Sequence, residues 1–178
     1  MKIKLFVFII IPVAAFLSRN AIKSYAQEAP ASRQKINALT AEILLEKASK
    51  AFEEKRIAKA AYLFQASIRY NPRYAQAYYR LGVVYAYEKK FDKAIVYLKE
   101  AVRFKPDFTK AYVNLGSAYG QLKDYKQALL YYQKALALEQ NDPVIYHNIG
   151  SIYAAMGKQD SSEEYFRKAK ELNPPAPE

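Results

Sequence analysis

Residues 75–108 read AQAYYRLGVVYAYEKKFDKAIVYLKEAVRFKPDF, and the same pattern occurs once before this stretch and twice after it. The four copies cover residues 41–74, 75–108, 109–142 and 143–176. A column is defined here as the position that a residue holds within its copy. A period of this length indicates a repeat protein, in which the core forms between neighbouring copies rather than within one globular domain.

Within the copies, the same columns hold small residues and the same columns hold large ones. Small residues occupy column 8 (Ala48, Gly82, Gly116 and Gly150), column 20 (Ala60, Ala94, Ala128 and Ser162) and column 27 (Ser67, Ala101, Ala135 and Ala169). Column 24 is bulky, and columns 4, 7 and 11 are large in the last three copies. At about 100° per residue, columns 4, 7, 8 and 11 share one face of a first helix, and columns 20, 24 and 27 share one face of a second. Each copy is therefore predicted to form a helix hairpin with close contacts at its small residues.

The pattern resembles the tetratricopeptide repeat, which carries an aromatic residue, Leu-Gly, Tyr, Ala, Phe, Ala and Pro at these columns. The proline column holds Pro72, Pro106 and Pro174 in the first, second and fourth copies. The third copy has Gln140 there, and Asp142 and Pro143 are predicted to supply an N-cap and a first-turn proline for the next helix. The resemblance implies an all-α fold, a right-handed superhelical solenoid of antiparallel helix hairpins.

The fourth copy is predicted to be a capping repeat. Three columns change character there: column 17 reads Ile57, Phe91, Tyr125 and Gln159, column 21 reads Ala61, Ile95, Leu129 and Glu163, and column 28 reads Ile68, Val102, Leu136 and Lys170. Positions that would pack against a following repeat are thus polar only in the last copy, as the end of a repeat array requires.

Residues 1–26 have the layout of a secretory signal peptide, with Lys2 and Lys4 before an apolar run at residues 5–17 and a small residue, Ala26, at the predicted cleavage site. The run is shorter than the ~20 residues that span a bilayer. We therefore expect a periplasmic or secreted protein, with an uncleaved membrane anchor as the alternative. Any membrane contact would then be made by this N-terminal segment alone. Residues 27–40 are predicted to be a linker and the start of the first helix, and residues 177–178 a tail.

The composition argues against an enzyme. The chain has one histidine and no cysteine, and it lacks a glycine-rich phosphate loop and paired carboxylates at a suggestive spacing. No catalytic residue, cofactor site or metal site is predicted. The net charge of +11 is interpreted as basic residues on a solvated outer surface. The alternative is that these residues bind an acidic partner or an anionic membrane surface. Nucleic acid is not an expected partner, because most aromatic residues lie in core columns.

Columns 2, 5, 6, 9, 12 and 13 lie opposite the hairpin core, yet many of them are apolar. In the tetratricopeptide family, the corresponding face forms a concave groove that receives a segment of a partner. The predicted groove residues are Tyr79, Arg80, Val83, Tyr87, Lys110, Val113, Asn114, Ser117, Gln121, His147, Asn148 and Ser151. The alternative for the apolar ones is that they fill contacts between repeats.

One subtype of the family, which clamps a terminal carboxylate of a chaperone tail, is disfavoured. Only Lys110, Asn114 and Asn148 match its residue set, and their order differs. The predicted function is a scaffold or adaptor that binds a protein or peptide partner in the cell envelope. The alternative is a self-associating structural or assembly component, a homo-oligomer without a foreign peptide ligand.

Overall fold

The computed structural model describes residues 19–173, with side chains from residue 30 onward. The predicted signal peptide at residues 1–26 lies largely outside the described residues, and the predicted tail at residues 177–178 lies entirely outside them. The chain divides into two compact units, with the boundary between Thr40 and Ala41. All four copies belong to the second unit.

Eight α-helices occur within residues 19–173, and that range contains no β-strand. They are α1 (Arg19–Glu53), α2 (Ile57–Tyr70), α3 (Ala75–Tyr87), α4 (Phe91–Phe104), α5 (Thr109–Gln121), α6 (Tyr125–Leu138), α7 (Pro143–Ala155) and α8 (Gln159–Leu172). From the second copy onward, the first helix begins at column 1 and the second at column 17. Each helix from α2 to α8 packs against the next one along the chain. The predicted all-α solenoid of helix hairpins is confirmed for residues 41–173.

The helix α1 starts well before the first copy. Its range, Arg19–Glu53, includes Pro30 in the helix interior. The linker predicted within residues 27–40 is therefore wrong, because this segment is helical throughout. Pro30 cannot donate one backbone hydrogen bond, but the Ala, Glu, Gln, Arg and Lys residues around it have high helix propensity.

The glycines of column 8 lie directly against the large residues of column 24. A Cβ atom added to Gly82 would lie 2.7 Å from the Leu98 side chain. One added to Gly116 would lie 2.7 Å from Tyr132, and one added to Gly150 would lie 2.8 Å from Phe166. Such distances are too short for a methyl group, so the predicted close approach of the two helices at this column is confirmed.

In the last three copies, two further columns of the first helices, 3 and 10, are buried although the hairpin pattern alone does not select them. They hold Ala77, Val84, Ala111, Ala118, Ile145 and Ile152. Except for Ala77, each of these side chains belongs to a hydrophobic cluster that contains residues of the preceding copy's second helix. These columns therefore join one repeat to the next.

The predicted N-cap of α7 is present, and the polar columns of the fourth copy are exposed. The Asp142 carboxylate accepts a hydrogen bond from the Val144 backbone N–H at 2.8 Å, and Pro143 is the first residue of α7. Gln159, Glu163 and Lys170 are exposed, whereas the residues at the same columns of the earlier copies are buried or half-buried. Within the described part of the chain, no helix combines the length and apolar character that crossing a membrane requires.

Candidate functional site

The first helices of the repeats lie side by side, since α3 contacts α5 and α5 contacts α7. The predicted groove residues occupy columns 2, 5, 6, 9 and 13 of these three helices, and we call the face that they share the groove surface. Its exposed members are Arg80, Tyr87, Lys110, Ser117, Gln121, His147 and Ser151, and its half-buried members are Tyr79, Val83, Val113, Asn114 and Asn148.

The N-terminal end of the groove surface is aromatic. The ring of Phe52, at column 12 of the first copy, meets the ring of Tyr87 edge to face, with centroids 5.6 Å apart. Tyr87 nevertheless remains 59% exposed. Phe52 was not predicted as a site residue, although an aromatic residue in a groove column is a signal that could have identified it. Together the two rings present apolar surface to solvent.

Tyr79 contributes to the junction between repeats as well as to the groove surface. Its ring packs on Phe108 with centroids 4.7 Å apart. Its hydroxyl accepts a hydrogen bond from Asn114 Nδ2 at 3.3 Å, and the same nitrogen donates to the Lys110 carbonyl at 2.9 Å. The side-chain amide of Asn114 is thus fixed by its neighbours with its Nδ2 occupied, and the group it can offer a ligand is its Oδ1 acceptor.

Two cations, Arg80 and Lys110, lie on the groove surface. The Arg80 guanidinium lies 6.0 Å from the centre of the Tyr79 ring. Lys110, at column 2 of the next copy, is exposed. Val113 is half-buried and packs against the cluster formed by α6 and α7. The alternative stated for the apolar groove residues, that they fill contacts between repeats, therefore applies to Val113 and in part to Tyr79.

Ser117 lies where a core residue reaches the groove surface. Burial raises the pKa of Tyr132 to about 12, and a side-chain hydrogen bond between Tyr132 and Ser117 lowers it in part. Tyr132 replaces the Phe or Leu that column 24 holds in the other copies, so its hydroxyl needs a polar neighbour. Ser117 therefore supports the core in addition to facing the groove.

The C-terminal end of the groove surface contains the only histidine of the chain. The imidazole of His147 packs on Phe166 with centroids 5.0 Å apart. The Ser151 hydroxyl donates to the His147 carbonyl at 3.0 Å, so its oxygen remains able to accept a hydrogen bond from a ligand. Among the residues that the structure describes, no cluster of His, Cys, Asp or Glu has the arrangement of a metal site.

Comparison with protein families identifies the repeats. The tetratricopeptide repeat models match residues 75–108, 109–142 and 143–175. A comparison with curated protein sequences gives no match.

Solved structures with a similar fold include a crystal structure of MamA, with 24% identity and a TM-score of 0.71 over 85% of this chain and 86% of that one. The first TPR of Spaghetti (RPAP3) bound to the HSP90 peptide SRMEEVD has 25% identity and a TM-score of 0.66, over 67% of this chain and 95% of that one. A thermophilic TPR protein of Thermus thermophilus has 24% identity and a TM-score of 0.66, over 76% of this chain and 75% of that one.

Proposed function

Because the chain belongs to the tetratricopeptide repeat family, we propose that it is a non-enzymatic protein–protein interaction scaffold or adaptor. It binds an extended or helical segment of a partner protein along the groove surface. The observation that carries this proposal is that Tyr87 is 59% exposed on a helix face that hairpin packing does not use. A large exposed aromatic residue beside further apolar surface is typical of a protein contact.

The polar residues of the groove surface define what the partner segment would contain. Arg80 and Lys110 favour an acidic side chain in it. The Asn114 Oδ1 atom and the Ser151 hydroxyl oxygen can accept hydrogen bonds from its backbone or side-chain donors. A segment with apolar side chains near Tyr87 and an acidic residue near Arg80 therefore matches this surface.

The peptide-bound TPR of Spaghetti (RPAP3) supports peptide binding as a use of this fold, but not the same recognition chemistry. At columns 5 and 9, where the carboxylate-clamp subtype places lysine and asparagine, this chain has Tyr79, Val113 and His147 and then Val83, Ser117 and Ser151. We therefore propose that the partner is not held by a clamp on its terminal carboxylate.

The proposed location is the cell envelope or the exterior, and it rests on the layout of residues 1–26. If the leader is removed, the mature chain begins at Gln27, which N-terminal sequencing of the protein from its native source measures. Recovery of the intact leader from a membrane fraction would instead support an uncleaved anchor.

The test compares groove variants in binding. Tyr87→Ala removes exposed apolar surface, and we expect it to weaken partner binding by about 1–3 kcal/mol with helical content unchanged. Asn148→Ala, combined with Asn114→Ala, should have an effect of the same size. Partners captured from a native envelope fraction are titrated against each variant by calorimetry.

The control is a charge reversal on the second helix of the second copy, Lys99→Glu with Arg103→Glu. Both residues are exposed and lie away from the groove surface. Tyr79→Ala also weakens binding on this proposal, but its contacts with Phe108 and Asn114 make it a change in the repeat junction as well. Full affinity in the groove variants and lost affinity in the control would move the binding site to the basic second helices.

A specific observation favours self-association as the alternative function. Ile43 is 43% exposed, whereas the residues at the same column of the later copies, Ala77, Ala111 and Ile145, are fully buried. Ala111 and Ile145 lie in clusters with the second helix of the preceding copy. A second copy of the chain could cover this position. Light scattering distinguishes the two functions, because self-association predicts a mass that rises with concentration and falls in Ile43→Glu.

A further inference from the structure

The groove surface ends in an apolar cleft between α7 and α8. The cleft has a volume of about 350 Å³ and is lined by Val144, His147, Phe166, Ala169, Lys170 and Asn173, among others. Val144 is 57% exposed although it is a valine on the wall of a concave site. A volume at the lower end of the range for ligand pockets suits one large side chain rather than a whole small molecule.

The same columns enclose an aromatic ring at an earlier junction. Between the second and third copies, Phe108 packs on Tyr79, which holds the column of His147, at 4.7 Å. Lys105, which holds the column of Asn173, lies with its ammonium 5.2 Å from the centre of the Phe108 ring. The counterparts of Phe166, Ala169 and Lys170 are Leu98, Ala101 and Val102. Leu98 and Ala101 belong to the cluster that contains Phe108, and Val102 packs against it.

The junction between the second and third copies therefore indicates that a cleft formed by these columns accepts an aromatic side chain. Column 34 holds Tyr74 in the first copy and Phe108 in the second, immediately before the next helix begins. The third copy has Asp142 at that column, where it caps α7, and the fourth copy has Ala176. The methyl group of an alanine provides far less apolar surface than an aromatic ring.

We propose that this end cleft is a docking site for an aromatic side chain of the partner segment, carried immediately before a helical turn and next to an acidic residue. The proposal deepens the proposed function, because Val144 and His147 stand in groove columns and connect the cleft to the groove surface. The acidic neighbour follows from charge, since Lys170 lies at the cleft and Asp107 precedes Phe108 at the internal example. An aromatic anchor in a pocket at one end of the groove would also fix the direction of the bound segment.

The test uses the full chain and a synthetic peptide with the sequence of residues 105–110, KPDFTK, blocked at both ends. The imidazole protons of His147 are the reporter in NMR, because the chain contains no other histidine. We expect saturable shifts of these signals, caused by the ring current of the bound phenylalanine. A peptide with alanine in place of phenylalanine should produce none.

Val144→Asp removes the apolar wall of the cleft and should lower the affinity for the peptide about tenfold or more. Val96→Asp is its matched control, because Val96 is a valine on α4 with 59% exposure and lies outside the cleft. It should bind the peptide like the unchanged chain. Tyr87→Ala is titrated with the captured partner and not with the peptide, so a failure of the wider groove proposal is distinguished from a failure of the cleft.

Three results would overturn the proposal. Equal binding of the phenylalanine and alanine peptides would show that the cleft does not select an aromatic side chain. Equal binding by Val144→Asp would place the peptide elsewhere. Shifts of the His147 signals that depend on protein concentration without peptide, and that disappear in Val144→Asp, would show that a second copy of the chain occupies the cleft.

Discussion

At the scale of single residues, the glycines of column 8 set the distance between the two helices of each hairpin. The neighbours of a Cβ atom differ between copies: Gly82 faces the branched end of Leu98, whereas Gly116 faces the ring of Tyr132, a rigid group that is 3% exposed. A flexible side chain can move away from an added methyl group, but a buried ring can move only with its helix.

We therefore predict that Gly116→Ala lowers the free energy of unfolding by about 1–3 kcal/mol in urea denaturation. Gly120→Ala is the control, because its Cβ would meet only the Cδ1 methyl of Ile152 at such close range, at 2.8 Å. That terminal methyl can rotate away, and alanine favours the helix more than glycine does. A Gly116→Ala variant as stable as Gly120→Ala would show that the helices adjust without cost.

The turn residues at column 15 show a second residue-scale constraint. Lys55, Lys89 and Lys123 have φ angles of 58°, 58° and 62°, a left-handed conformation that only Gly157 adopts without strain. The conformation allows the next residue to bond back into the helix, as Lys90 N–H does to the Tyr85 carbonyl at 2.9 Å. This arrangement is the usual way in which a helix C-terminus satisfies its last carbonyls.

Lys89→Gly should therefore raise the free energy of unfolding by about 0.5–1 kcal/mol, since glycine removes the steric strain and loses part of that gain in unfolded-state entropy. Lys90→Gly removes the same charge at a residue with a φ of −89°, where glycine relieves no strain. It brings the entropic loss and also removes the exposed ion pair between Lys90 Nζ and Glu88 Oε2 at 3.1 Å. Thermal unfolding of both variants measures the difference. A lower melting temperature for Lys89→Gly than for Lys90→Gly would contradict the assignment of strain.

At the scale of helices, tyrosine pairs connect the two halves of three hairpins. Tyr85 stacks on Tyr97 at 5.3 Å, Tyr119 on Tyr131 at 5.4 Å, and Tyr153 on Tyr165 at 5.3 Å. The first member of each pair was predicted to face the hairpin core, because column 11 lies on the core face of the first helix. The second member, at column 23, was not selected, because its position depends on how the second helix is rotated against the first.

Burial of tyrosine between helices makes stability dependent on pH. The pKa of Tyr132 is raised to about 12, and burial also raises the pKa of Tyr97, Tyr131 and Tyr165. A raised pKa in the folded state means that the unfolded chain loses its tyrosine protons first. The stabilisation is therefore complete below about pH 10 and is lost as the pH rises toward 12.

We predict that Tyr132→Phe reduces this loss by about 2 kcal/mol at pH 11.5, which is most of the free energy that corresponds to a shift of two pKa units. Urea denaturation at pH 8 and at pH 11.5 measures the change in stability for both chains. The other tyrosines continue to contribute, so part of the dependence remains. An identical pH dependence in Tyr132→Phe and the unchanged chain would show that Tyr132 ionises freely in the folded state.

The sequence predicts which helix face each residue of the candidate site occupies, but it does not predict which residues are in contact. Column numbers alone place Tyr79, Asn114 and His147 on the groove surface, because an α-helix has a fixed angle per residue. The hydrogen bond from Asn114 to the Tyr79 hydroxyl joins two repeats, so it depends on the distance between α3 and α5. The cleft beside His147 also depends on helix packing, since it forms between α7 and α8.

At the scale of the whole array, the repeat period predicted the fold, because identical columns must pack in identical ways along the solenoid. The helical course of α1 through Pro30 could not be predicted in the same manner, since no other copy shows the segment. Columns 17, 21 and 28 do carry information about packing against a following repeat. Tyr125, Leu129 and Leu136 pack against the cluster that contains Ile145 and Ile149 of the fourth copy.

Removal of residues 141–178 should therefore expose Tyr125, Leu129 and Leu136, and we predict that the shortened chain has a lower melting temperature and associates in sedimentation experiments. The fourth copy itself provides the rescue, because it holds Gln159, Glu163 and Lys170 at these columns. Tyr125→Gln, Leu129→Glu and Leu136→Lys in the shortened chain should restore a monomer. The substitutions therefore test whether exposed apolar surface causes the association. If a general loss of folding caused it, these polar substitutions could not restore the monomer. A shortened chain that is monomeric with an unchanged melting temperature would show that the third copy does not need a capping repeat.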